Sequence, residues 1–161
     1  MQDLIPIAEK IADVLKTRRQ TIAVAESSSG GLISSALLAI PGASAYYLGG
    51  AVVYTLQARR ALLDLPDSAF TGIRGLTEEL ALVLARGAQR RFATTWAVSE
   101  VGAAGPTGSR YGEPPGTSCI AVAGPTERAL IVRTGNPDRV ANMRSFAAKA
   151  LELLSTCVSA G

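Results

Sequence analysis

Three hydroxyls follow a carboxylate in the stretch "AVAESSSGG", Ala23 to Gly31, and two glycines close it. An apolar run comes before it and a helical pattern comes after it. Ser27, Ser28 and Ser29 therefore fall where a strand hands over to a helix. The first amides of a helix have no partner inside it, and its dipole adds about half a positive charge there. Hydroxyls and amides at such a turn converge on an anion, either a phosphate or the oxyanion of an acyl transfer. Gly30 and Gly31 would let a ligand approach the backbone closely. One serine suffices to cap a helix, so three serines and two glycines exceed that need. The chain has no histidine, which rules out a Ser-His-Asp triad. A serine nucleophile here needs another proton acceptor.

The elements that must carry these residues read as follows. Leu4, Ala8, Ile11 and Leu15 recur at helical spacing, so residues 3–17 form an amphipathic helix. "TIAVA" (Thr21–Ala25) reads as a strand covered on both faces. Gly31–Ala39 reads as a helix stopped by Pro41-Gly42. Tyr47–Thr55 is strand-like, with Gly49 and Gly50 marking a bulge or a close backbone approach. Arg59–Leu63 makes a short helix. Thr77 caps a further helix that carries Glu78 and Glu79 in its first turn. Thr94–Ser99 is the next strand. "TSCIAVA" and "ALIVR" are joined at Gly124–Glu127 into an antiparallel hairpin. Asn136 with Pro137 opens a last helix whose apolar face includes Met143, Phe146, Leu151 and Leu154. Between them, Val101–Gly116 is a Gly/Pro loop of a length that in compact domains is usually functional. The expected fold is one α/β domain over residues 1–161, a mixed sheet with helices on both faces in a three-layer α/β/α arrangement.

Composition narrows the class. The chain has 161 residues, 48% hydrophobic and 18% charged, as in a globular protein. No apolar run approaches the ~18 residues of a membrane span, and the N-terminus carries acidic residues early, unlike a signal peptide. Cys119 and Cys157 lack metal-ligand spacing and read as reduced thiols of a cytoplasmic protein. The net charge is +3, the arginines are scattered and aromatics are scarce, so no nucleic-acid partner is expected. A small anionic ligand fits that balance. No metal and no cofactor are expected.

The run "AESSSGGLISSALLAIPGASAYYLGGAVVYTLQARRALL" resembles the signature of the CinA C-terminal domain family, with the motif A-E-S-C-T-G-G, then P-G-S-S, G-G-V-V-x-Y-S-N-x-x-K and T-G-x-A-G-P. Glu26-Ser27, Gly30-Gly31, Pro41-Gly42-Ala43-Ser44, Gly49-Gly50, Tyr54 and Gly102-Ala103-Ala104-Gly105-Pro106 stand in register. The match runs from about Thr21 to the C-terminus and is similar to the stand-alone form of the family. The resemblance implies a cytoplasmic, self-associating amidohydrolase that turns nicotinamide mononucleotide into nicotinic acid mononucleotide and ammonia. It assigns the nucleophile to Ser27, with Tyr54 and the motif lysine beside it. Substrate contacts fall on Ser28, Ser29, Gly30, Gly31, Ser44, Gly49, Gly50, Gly102, Ala104 and Gly105.

Several motif positions differ. The lysine is Arg59, and a guanidinium stays protonated where a desolvated lysine can act as a base. The Cys-Thr pair after the nucleophile is Ser28-Ser29, the threonine of T-G-x-A-G-P is Val101, and the Ser-Asn pair after the tyrosine is Thr55-Leu56. Two accounts follow. Arg59 could hold Tyr54 partly ionised, with tyrosinate, Glu26 or Glu100 deprotonating Ser27. Alternatively the base is lost, and the pocket is a nucleotide-binding or regulatory module in which Arg59 clamps a phosphate. Glu100 could also pair with Arg59. Arg110 and Tyr111 stand behind the Gly-rich loop, Arg139 and Arg144 open the last helix, and Tyr46 and Tyr47 either face a ligand ring or pack. Trp96 reads as core.

Overall fold

The apolar run after the first helix becomes the centre of the sheet. In the computed structural model, which describes residues 1–160, strand β1 (Ile22–Glu26) is buried at every position. It is flanked in parallel by β2 (Tyr47–Val52) and β3 (Trp96–Ala103). Strands β4 (Thr117–Ala123) and β5 (Arg128–Arg133) add an antiparallel hairpin, giving the order β2-β1-β3-β4-β5. The fold is the expected mixed sheet between helical layers.

Side chains of alternating size divide the two faces of this sheet. Ile22, Val24, Val98, Ile120 and Val122 point toward helices α1 (Ile5–Arg18), α2 (Leu32–Leu38) and α5 (Arg139–Ala160). Ala23, Ala25, Ala97, Ala121 and Ala123 point toward α4 (Glu78–Phe92). A strand buried on both faces need not alternate in polarity, but it alternates in side, and here the second side is almost all alanine. Small residues there leave room for α4 to pack closely, with Leu80, Leu84 and Ala88 filling the layer. Helix α3 (Leu56–Leu63) joins β2 to that side. No helix is long and apolar enough to cross a membrane among the described residues.

Local signals account for most boundaries. Thr77 Oγ1 accepts from Leu80 N at 3.1 Å, so it is the N-cap of α4. Thr55, at one of the altered motif positions, caps α3 by accepting from Ala58 N at 3.1 Å. That helix starts at Leu56 rather than Arg59, and β2 ends at Val52 rather than Thr55. The cap of α5 is Asp138, whose carboxylate accepts from Ala141 N at 2.9 Å. Asn136 only shapes the preceding turn through Asp138 N, which corrects the expected Asn136-Pro137 start. The Gly/Pro loop is shorter than expected. Val101, Gly102 and Ala103 belong to β3 and pair with Cys119, Ser118 and Thr117.

Topology then locates the site. The chain leaves β1 for β2 on one side and leaves β3 for β4 on the other. Where connections from adjacent parallel strands part, the carboxyl ends leave a crevice, and ligands of α/β sheets bind there.

Candidate active site

Glu26 ends β1 and Glu100 lies opposite it on β3. Both are fully buried and point to the same face, and neither has a cationic partner. Buried carboxylates need hydrogen-bond donors, and the serine turn supplies them. Glu100 Oε2 accepts from Ser27 N at 3.2 Å and Ser29 N at 2.8 Å. Its Oε1 accepts from Ser118 Oγ at 2.9 Å and, in a closer contact, from Ser28 Oγ. Glu26 accepts from Ile33 N at 3.1 Å, Ser34 N at 3.0 Å and Ser34 Oγ at 2.6 Å. Ser29 Oγ lies 2.9 Å from an oxygen of each carboxylate.

The three serines therefore do different things. Ser29 is fully buried between the carboxylates and touches no open space. Ser28 and Ser27 line a cavity of about 740 Å³ at the carboxyl ends of the strands. The Ser27 hydroxyl makes no hydrogen bond to any of the described residues. Gly31, at φ 101°, makes the bend into α2, and the Gly30 amide is turned back on Ser27 O at 3.2 Å. The glycines thus shape the turn, and neither lines the cavity.

Opposite the serines stand Tyr54, Arg59 and Arg139, with Gly102, Ala104 and Gly105 forming the floor. No carboxylate side chain lines this cavity among the described residues, so its walls favour an anion. Arg59 is half-buried without an acidic partner. Its Nε donates to Val53 O at 3.4 Å and its guanidinium lies 5.6 Å from the centre of the Phe70 ring. Burial pulls its pKa below the usual guanidinium value, and the phenol of Tyr111 partly offsets this. The cation in hydrogen-bond contact with Tyr54 is Arg139, at 3.5 Å from the phenol oxygen. Arg139 also donates to Gly105 O at 2.8 Å and so ties the start of α5 to the loop.

Other expected contacts lie elsewhere. Ser44 is exposed on a short 3-10 turn, outside the cavity. Gly49 and Gly50 serve close packing, since a Cβ would strike the Phe92 ring at Gly49 and the Tyr47 and Ser34 oxygens at Gly50. Glu26 holds the start of α2 rather than Ser27, and Glu100 accepts from serines rather than pairing with Arg59. Tyr46 is core, donating to Leu37 O at 2.5 Å, and Tyr47 is half-buried against Ser34. Trp96 is fully buried, as expected. Arg144 meets Asp3 at 3.7 Å on the surface. Ser118 was not singled out from the sequence, although a hydroxyl inside the buried run "TSCIAVA" was a usable signal. Neither was Glu113, whose carboxylate accepts from Leu76 N at 2.7 Å and from Ser109 Oγ, fastening the Gly-rich loop over the cavity.

Comparison with known proteins agrees with this fold. The sequence model of the CinA C-terminal domain matches residues 4–158. A CinA-like protein of Salinibacter ruber is 37% identical over 142 residues, 88% of this chain and 34% of that protein. One from Anaeromyxobacter sp. is 35% identical over 148 residues, 92% of this chain and 36% of that protein. The chain thus spans about a third of the length of these relatives. The crystal structure of competence/damage inducible protein CihA from Agrobacterium tumefaciens superposes with TM-score 0.88 at 30% identity, covering 98% of this chain and 96% of that one. A CinA superfamily protein from Klebsiella pneumoniae has the same fold, with TM-score 0.90 at 23% identity over 98% of this chain and 99% of its own. The sequence match over nearly the whole length and the shared fold place the chain in the CinA C-terminal domain family.

Proposed function

We propose that the chain is an amidohydrolase that hydrolyses a nucleotide carboxamide, of the nicotinamide mononucleotide class, to the acid and ammonia. The observation that carries this reading is the Ser27 hydroxyl, without a hydrogen-bond partner among the described residues and open to a cavity whose cations are Arg59, Arg110 and Arg139. The Ser27 oxygen bonds to the carboxamide carbon, the C–N bond breaks, ammonia leaves, and water then releases the acid. Arg59 and Arg139 attract the phosphate and the developing oxyanion. Tyr54, at the mouth, contacts the substrate beside Arg139. The protein acts in the cytoplasm as a homo-oligomer without metal or cofactor, and it does not engage nucleic acid.

A second reading has its own observation. Arg59 stands at the lysine position and cannot accept a proton, and the Ser27 hydroxyl has no hydrogen-bond acceptor among the described residues. A nucleotide-binding module without turnover fits those two facts. Ammonia release from nicotinamide mononucleotide, lost in Ser27→Ala, supports the amidohydrolase. Binding without turnover, unaffected by Ser27→Ala, selects the module. If Arg59→Lys raises turnover from a low level, then the lost base was the motif lysine.

A further inference from the structure

The cavity presents a nucleophile that must lose a proton, and no side chain beside Ser27 takes one. The next hydroxyl along the chain has an acceptor. Ser28 Oγ lines the same cavity and donates to Glu100 Oε1. We infer that Ser28 and Glu100 together form the proton acceptor of this site, in place of the base that Arg59 cannot be. The inference rests on reading the cavity as a hydrolytic site.

The Ser28–Glu100 half of the path is a hydrogen bond that already exists, and the other half forms when the Ser27 hydroxyl or a water turns to Ser28 Oγ. A hydroxyl in the cavity, Ser27 or a water, gives its proton to Ser28 Oγ as the Ser28 proton passes to Glu100 Oε1. In the first half-reaction the Ser27 oxygen bonds to the carbonyl carbon. As the C–N bond breaks, the nitrogen takes the proton back by the reverse route and leaves as ammonia. In the second, water delivers its proton the same way, its oxygen bonds to the acyl carbon, and the ester bond breaks to restore the Ser27 hydroxyl.

Once a carboxylate with five donors takes a proton, one oxygen carries its own O–H, so some of those donors must turn elsewhere. Two of them can. Ser118 Oγ is 2.9 Å from Glu100 Oε1 and 3.3 Å from Val101 O. Ser29 Oγ is 2.9 Å from Glu100 Oε2 and 2.9 Å from Glu26 Oε2. When Glu100 takes a proton at Oε1, Ser118 turns to Val101 and Ser29 turns to Glu26. The new O–H then points back at Ser28. The amides of Ser27 and Ser29 stay on Oε2 and hold the carboxyl in place. Both charge states are thus satisfied by moving protons alone.

Gly102 makes the meeting possible. A Cβ there would lie 2.9 Å from Ser28 Oγ and 2.9 Å from Ser118 Cβ. Ser28, Glu100, Gly102 and Ser118 come from three separate segments that converge at one point.

The test compares Ser28→Ala, Ser28→Thr, Ser118→Ala and Glu100→Gln with the unaltered chain. One assay is ammonia release from nicotinamide mononucleotide, and the other is the rate at which a fluorophosphonate labels Ser27. Ser28→Ala and Glu100→Gln are expected to lower kcat and labelling by about 100-fold or more, with KM changed by less than about threefold. Ser28→Thr keeps a hydroxyl and is expected to recover most of the rate. Ser118→Ala removes a hydroxyl from the same carboxylate oxygen but outside the cavity, and its loss is expected to stay under about tenfold. Equal losses in Ser28→Ala and Ser118→Ala would mean a purely structural network and overturn the inference, as would an unimpaired Ser28→Ala. An unaltered chain inert toward the nucleotide, yet labelled at Ser27 with this Ser28 dependence, removes the amidohydrolase reading and keeps the proton acceptor. A chain that neither turns over nor takes label overturns both.

Discussion

Glu26 and Glu100 occupy facing positions on neighbouring parallel strands, equally buried and equally without a cation. Their surroundings part them. Apart from the shared Ser29, the donors to Glu26 belong to the first turn of α2, where its charge also meets the positive end of the helix. The donors to Glu100 come from the serine turn and from β4, and one of them, Ser28, is also a wall of the cavity. Two chemically identical groups are therefore set apart by what lies behind their hydrogen-bond partners, the interior of a helix turn for Glu26 and a cavity wall for Glu100. Burial and charge alone do not separate them.

The sharpest way to break that contrast is Glu26→Ala. It leaves the buried amide of Ile33 and the partly buried amide of Ser34 without acceptors, and a buried orphaned group costs about 1–3 kcal/mol. A loss of about 3–5 kcal/mol is expected in urea unfolding, with folded protein in native buffer still able to be labelled at Ser27. If labelling falls as far as in Glu100→Gln, the division of roles fails. Gly102→Ala tests the other side. Its Cβ would approach Thr117 O at 2.7 Å, and shifting the β3–β4 backbone costs about 1–3 kcal/mol. Here the labelling rate should drop together with stability, because the Ser28–Glu100 contact is displaced.

Two smaller effects sharpen the picture. Thr117 Oγ1 is buried with no partner, the reverse of the well-served carboxylates nearby. Thr117→Val removes that orphan at nearly constant shape and should stabilise by about 1 kcal/mol without changing turnover. Glu113 is the partly exposed counterpart. Burial, the largest influence, pushes its carboxyl up, but hydrogen bonds from Ser109, from Leu76 N and from its own backbone carry it below the usual value. A depressed folded value means its contribution is present above the unfolded carboxyl value of ~4.3 and is lost as pH falls through the lower folded one. Amide protection factors at Leu76 and in the loop before β4, taken against the intrinsic exchange rate at each pH, should therefore fall below about pH 4.3, while those of β1 stay high.

Much of the framework was legible because short-range chemistry dictates it. "TIAVA" is apolar throughout and became the central strand, Thr77 carried its cap signal, and the Gly124–Glu127 turn joined two strands of the right length. The extension of β3 was not legible. Gly102 and Ala103 carry little strand preference, and pairing with Ser118 and Thr117 decides their state. The site divides the same way. Ser27, Tyr54, Arg59, Gly102, Ala104 and Gly105 line one cavity. Glu26 is next to Ser27 in sequence, yet the chain bends between them and their side chains serve different neighbours. Gly49 and Gly50 match the motif for a packing reason, since aromatic side chains lie against both. A motif records that a residue type is required, not which of its neighbours requires it.

The placement of Ser28, Glu100 and Ser118 also bears on how the molecule is made. Their meeting needs β1, β3 and β4 aligned, with 72 residues separating Ser28 from Glu100. Contacts so distant along the chain form late, because closing the intervening loop must precede any gain from them. A chain still emerging from the ribosome therefore holds Ser27 and Ser28 in an unformed bend until the fourth strand arrives. The proton path proposed above would exist only once β4 is in place, and a fragment ending before Thr117 would lack it.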